Sequence, residues 1–268
     1  MVVLKEDSLV DKVLYRIVKK HVSGTTMGSA LAKAKELNQK NIHASITFLS
    51  NVPENKIKAR YITSTYTELI RRIARLGLKA SVQVQAGQIG YGIDESVFES
   101  NLKEILSTGN KYGVFIWMEV KEGDHKLPKG IEKSLGFGLA MNFDYVDKCA
   151  KKYRNLRTAK IMCDRNGNTK IEDLKRIAGM FDNTVIMSAP DFTVNKVLKN
   201  GVKNDLVLEF LLGYSKRKLS KALDKGAKVS VSVPFGKDWI AYATDMVSDK
   251  YMRIIVDNLL KERSIDGA

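Results

Sequence analysis

Short runs of aliphatic and β-branched residues recur along this chain, each followed by a turn and then a helical pattern, and that repetition constrains the fold most. The clearest unit is Lys228–Met246. Val229, Val231 and Val233 alternate as a strand does, and Pro234-Phe235-Gly236 is expected to close it. Asp238 then offers a carboxylate to cap a helix with Trp239, Tyr242, Ala243 and Met246 on its apolar side. Similar strands are expected at Ile42–Leu49, Leu78–Ala86, Gly113–Val120, Leu135–Met141, Leu156–Met162, Thr184–Met187 and Leu206–Leu212. Strands alternating with helices across short loops predict a parallel sheet. About eight such units are what a closed (β/α)8 barrel of the TIM type needs, and 268 residues are enough for one.

The whole chain, 1–268, therefore reads as a single domain, with residues 1–40 as an N-terminal helical extension. Leu9, Val10, Val13, Leu14, Ile17 and Val18 form one side of an amphipathic helix, and an alanine-rich helix follows at Ser29–Gln39. Pro53 is expected to open a long helix that Gly77 ends.

No run of about 18 apolar residues occurs, so no membrane span is expected. Acids near the N-terminus stand where a secretory signal would be uniformly apolar, and the cytoplasm is the expected location. Cys149 and Cys163 match no metal or disulfide pattern, and His21, His43 and His125 are scattered, so no metal site is expected. A net charge of +15 would suit nucleic acid, but no recognition motif accompanies it. A solvated, lysine-rich exterior is the preferred reading.

Three further features carry little chemistry. The loop Gly87-Gln88-Ile89-Gly90-Tyr91-Gly92 lacks both dinucleotide and P-loop spacing, and reads as a turn eased by glycine. Asp164, Asn166 and Asn168 partly mimic a calcium loop, but Lys175 stands where its bidentate glutamate would be. In a barrel the chemistry sits at the C-terminal strand ends, here expected at Thr47, Gln85, Trp117, Glu119, Met141, Cys163, Ser188, Leu212 and Phe235. That set has few acids, bases or nucleophiles and suits a flavin or ligand pocket better than a hydrolase.

Several segments, in consistent order, resemble the proline dehydrogenase family. Val233–Tyr242 resembles its V-P-Y-G-x-x-W-x-x-Y pattern, and His21–Leu37 its entry segment. Ser81–Leu106 shares Gln88, Gly90, Asp94, Glu95, Asn101 and Leu102 with the second strand and its helix. Phe115–Val120 is similar to an I-D-M-E third strand, and Glu209–Tyr214 to a Q-M-L-Y-G-I segment. The resemblance implies a (β/α)8 barrel that binds FAD and removes a hydride from proline.

It also implies where the proline site would lie, and there the chain departs from the pattern. The strand-two lysine position falls on Gln85 and the strand-three aspartate position on Trp117. A fifth-strand tyrosine position falls on Cys163, and the paired arginines after Tyr242 fall on Asp245 and Met246. Two guanidinium groups clamp a carboxylate through charge-assisted bonds that neither aspartate nor methionine can make. Losing one partner of such a pair costs about 2–5 kcal/mol. For the cofactor, Arg157 and Lys160 match the cations of the family's R-x-x-K-G-A-Y segment. Ile161 replaces its glycine, Ala140 a strand-four glutamine, and Ala189-Pro190 a Thr-His pair.

Two functional classes follow. One is a barrel that has lost proline oxidation and binds a small ligand or a partner. The other is an FAD-dependent oxidoreductase transferring a hydride to flavin from proline or another amine or imino-acid substrate, since the hydride chemistry belongs to the flavin.

Overall fold

The computed structural model describes residues 19–120, 136–153, 155–163, 170–187, 206–213 and 216–238. Parallel strands alternate with helices in the order α1 (Met27–Gln39), β1 (His43–Phe48), α2 (Lys56–Arg75), β2 (Ala80–Gln85), α3 (Glu95–Tyr112), β3 (Ile116–Val120) and β4 (Phe137–Asn142). They continue as α4 (Val146–Lys152), β5 (Thr158–Met162), α5 (Ile171–Ala178), β6 (Asn183–Met187), β7 (Leu206–Leu211), α6 (Lys216–Asp224) and β8 (Lys228–Phe235). The strands pair in sequence order, and β8 closes on β1, with Ala44 opposite Val231 and Ile46 opposite Val233. The eight-stranded barrel expected from the repeats is therefore closed.

Local chemistry explains the helix starts. Thr26 caps α1 by accepting from the Ser29 N–H at 3.2 Å, and Asp94 caps α3 by accepting from the Val97 N–H at 3.1 Å. The long helix α2 begins at Lys56, later than Pro53 suggests, because the Asn55 side chain supplies the cap, accepting from the Lys58 N–H at 3.0 Å. Gly77 (φ +61°) follows its end, as expected. Lys170 is the last residue before α5, and Asp164, Asn166 and Asn168 of the calcium-like loop lie outside the described residues.

The last strand does not stop at Val233. It continues through Pro234 to Phe235, where Pro234 needs only its carbonyl, which accepts from the Ser23 N–H (2.8 Å) and hydroxyl (2.9 Å). Gly236 follows at φ +140°, and a Cβ there would meet the Leu49 carbonyl oxygen at 2.1 Å. Only glycine permits that approach, which lets the end of β8 lie against the end of β1. The adjacent Asp238 binds back to the loop after β1, accepting from the Asn51 N–H (2.9 Å) and Nδ2 (3.1 Å). The helix it was expected to cap lies outside the described residues, as does most of the amphipathic segment 1–20.

The large apolar core lies between the sheet and the helices: Ala44, Ile46, Val82, Val84, Met118 and Val233 meet Ala34, Tyr66, Ile70, Leu102 and Ile105. It is distinct from the barrel interior, which has a different composition.

Candidate functional site

Lys160 shows how the interior is built. It stands on β5, yet its Nζ donates to Ser45 Oγ on β1 (2.8 Å), to Gln83 Oε1 on β2 (3.0 Å) and to Glu209 Oε1 on β7 (3.0 Å). Strands so far apart around a closed barrel can meet only through its middle. Glu209 Oε2 also lies 2.9 Å from Nζ and accepts from Ser230 Oγ on β8 at 3.1 Å. The lysine and glutamate side chains are 0% and 2% exposed. Barrel interiors of this type are commonly filled by branched apolar layers; this one holds a buried ion pair. Burial pulls the Lys160 ammonium below its ordinary range, and the Glu209 charge and hydrogen bond oppose that.

Beside this pair lies an apolar plug of Trp117, Ala140 and Val185, with Phe115 and Val207 packed against it. The Trp117 ring centroid is 5.0 Å from Lys160 Nζ, a cation–π contact inside the barrel. Gly138 on β4 makes room for the indole, since a Cβ there would approach Trp117 Cζ3 to 2.6 Å.

Toward the C-terminal ends of the strands, the polar chain continues outward. Gln83 accepts from Lys160 with its Oε1, so its Nε2 points to Glu119 Oε2 at 3.0 Å. Gln85 adds a longer bond from Nε2 to the same oxygen, 3.4 Å. Gln85 and Glu119, opposite each other in register, are both half-buried and form the open end of the chain. Met162 and Met187, also paired in register, stand two residues beyond Lys160 and Val185 on the same face of β5 and β6, toward the C-terminal strand ends.

Of the residues expected at the site, the structure brings Gln85 to the mouth. Trp117 is 6% exposed and lies deeper, near the start of β3. Cys163, just beyond β5, is buried in the apolar core, and its N–H donates to the Met187 carbonyl at 3.2 Å. Arg157 stands before the first residue of β5, at the end of the barrel away from the mouth. Its side chain is 84% exposed, with Asp182 at 3.8 Å. Arg157 and Lys160 are thus not brought together. Tyr242, Asp245 and Met246 lie outside the described residues. Among the described residues no group of His, Cys, Asp and Glu could hold a metal ion, and no helix is long and apolar enough to cross a membrane.

The glycine-containing loop after β2 is structural. Gln88 is buried, accepting from the Tyr66 hydroxyl and donating to the carbonyls of Phe48 (3.1 Å) and Ser50 (2.9 Å). Asn101 donates to the Ile89 carbonyl at 3.0 Å. Glu209, Ser45, Gln83 and Ser230 were not singled out from sequence as site residues. For Gln83 and Ser230 the signal is the polar half of the alternation in Ala-Ser-Val-Gln-Val-Gln and Val-Ser-Val-Ser-Val, which strands covered on both faces rarely show; Ser45 and Glu209 are single polar residues within His-Ala-Ser-Ile-Thr-Phe and Leu-Val-Leu-Glu-Phe-Leu.

His43 opens β1 beside this network. Burial holds its imidazole below the ordinary 6.5, with the Lys160 charge adding to that and the Glu209 charge opposing it. His21, whose Nδ1 donates to the Leu212 carbonyl at 2.9 Å, is lowered chiefly by burial too, against the raising effect of that bond. A base depressed in the folded state takes up its proton first in the unfolded chain. Stability is therefore expected to fall as pH drops below about 6.5 toward each folded value. Urea titrations between about pH 7.5 and pH 5 check this, and His43→Gln should flatten the profile. A profile unchanged by that substitution would remove His43 from the account.

No family model matches the chain. It is 20% identical over 261 residues to proline dehydrogenase 1 of Bacillus subtilis subsp. natto, covering 87% of this chain and 86% of that protein. With the proline dehydrogenase of Deinococcus radiodurans it shares 21% over 293 residues, covering 95% of this chain and 94% of that one. Among solved structures, proline utilization A from Bdellovibrio bacteriovorus superposes with a TM-score of 0.67 at 12% identity, over 87% of this chain and 32% of that one. The protein of the same name from Corynebacterium freiburgense gives 0.60 at 15%, over 91% and 33%. The chain thus spans about a third of those two structures, which show the fold alone. The similarity to curated proteins runs nearly end to end, in agreement with the closed barrel. Along nearly its whole length this chain is similar, at low identity, to the proline dehydrogenases.

Proposed function

We propose that this chain is a cytosolic, single-domain barrel (residues 1–268) that binds a small ligand at its C-terminal mouth and does not oxidise proline. One observation carries the reading: the two cations expected to serve a flavin are not available to it. Lys160 is enclosed and spends its donors on Ser45, Gln83 and Glu209, while Arg157 sits at the other end of its strand. Ala140, where the resemblance expects a glutamine, is fully buried in the apolar plug. The described residues therefore do not fit the flavin contacts that the resemblance implies. Gln85, in place of a lysine, and Asp245 and Met246, in place of the arginine clamp, point the same way.

The experiment is an assay with proline, added FAD and an artificial electron acceptor. The expected result is no turnover above background. Turnover at an ordinary enzymatic rate, about 1–10³ per second, would overturn the proposal. It would favour the second reading, a flavin-dependent oxidoreductase acting on proline or another amine, which rests on similarity to curated proline dehydrogenases over most of their length.

A further inference from the structure

The open end of the interior network has a chemical preference. Glu119 accepts from Gln83 Nε2 and Gln85 Nε2, and both bonds fall on Oε2. Its Oε1 receives no donor among the described residues, and no described cation lies within ion-pair distance of the carboxylate, the Lys160 charge acting on it only from farther off. The Gln83 amide cannot turn to change this arrangement, because its Oε1 is held by the Lys160 ammonium. Lys160 is thus a positioning residue for Glu119, acting through Gln83.

Charge bookkeeping along the described inward-facing residues reinforces the point. Lys160 pairs with Glu209, and the exposed Lys228 stands at the start of β8, away from the mouth, so Glu119 leaves an excess negative charge at the mouth. In a chain of net charge +15 that excess is local. A half-buried carboxylate whose described hydrogen bonds come only from neutral amides, and which shares the more distant Lys160 charge with Glu209, gains most from a cationic partner that replaces lost hydration. The thioethers of Met162 and Met187 offer an adaptable apolar wall within the same mouth.

We propose that Glu119 is the anchoring carboxylate for a small organic ammonium ion whose apolar body lies against Met162 and Met187. This deepens the ligand-binding reading given above and rests on it.

The test is isothermal titration of the full-length protein with n-butylammonium and piperidinium chlorides, each against its neutral counterpart, n-butanol or cyclohexanol. Each ammonium is expected to bind at least about tenfold more tightly than its alcohol. Glu119→Gln should cut ammonium affinity about ten- to a hundredfold and leave the alcohols unchanged, since a charge-assisted bond becomes a neutral one. Glu36→Gln, on the outer face of α1, should behave as the unsubstituted protein. Should Glu119→Gln not fold, Glu119→Asp and the ammonium–alcohol comparison on the unsubstituted protein decide. Ammonium binding no tighter than alcohol binding, no ammonium binding at all, or full affinity in Glu119→Gln would each overturn the proposal. Proline turnover would instead overturn the reading beneath it, and the same titration would still decide the role of Glu119.

Discussion

Replacing Lys160 by methionine is expected to destabilise the protein by about 3–5 kcal/mol, because it leaves the Glu209 carboxylate buried without its counter-ion. Glu209 is 1% exposed, and its remaining described donor is the Ser230 hydroxyl at 3.1 Å. Against a total stability of about 5–15 kcal/mol, that loss would show as a large shift of the urea midpoint and a fall in Tm of roughly 6–20 °C. The double variant Lys160→Met/Glu209→Met removes both charges together. It should be more stable than Lys160→Met alone, since an apolar pair of similar volume is often as stable as a buried ion pair. Ser45, Gln83 and Ser230 would lose partners in the double variant, so recovery is expected to stop short of the unsubstituted level. A loss below about 1 kcal/mol in the single variant, or a double variant as unstable as the two singles summed, would show that the pair is not coupled.

The barrel was legible because its signals are local and repeated. Eight strand patterns and a glycine after α2 lie within a few residues of the structure they specify. Element ends shifted where a local rule had a competitor: Asn55, and not Pro53, opens α2, and Pro234 stayed within β8. The interior was not legible in the same way. Lys160, Ser45, Gln83 and Glu209 come from four strands, and the hydrogen bonds of Lys160 span up to 115 residues, so nothing local announces that they meet.

The resemblance itself divides along a physical line. Gln88 and Asn101, shared with the family pattern, hold the loop after β2 against the ends of β1 and α3. They preserve the scaffold whatever the mouth binds. Gln85 and Trp117, which depart from the pattern, belong to the interior and its opening. Lys160 matches the pattern in sequence, yet its ammonium serves the barrel interior. A matching residue type is therefore not by itself evidence of a role, which burial and partners decide.

Flavin binding is the second large effect. An ordinary flavoprotein of this fold would need cations and hydrogen-bond donors beside the cofactor. Here Arg157 is at the wrong end of β5 to supply one at the mouth, Lys160 is enclosed, and Ala140 has no polar atom in its side chain. Each absent neutral hydrogen bond is worth about 0.5–1.5 kcal/mol, and three or four together remove about two or more decades of affinity. The most direct measurement is the visible spectrum of the purified protein, followed by titration with FAD and FMN. A colourless protein that binds either flavin weakly or not at all is the predicted result. Stoichiometric, tightly bound flavin would contradict the account and restore the oxidoreductase.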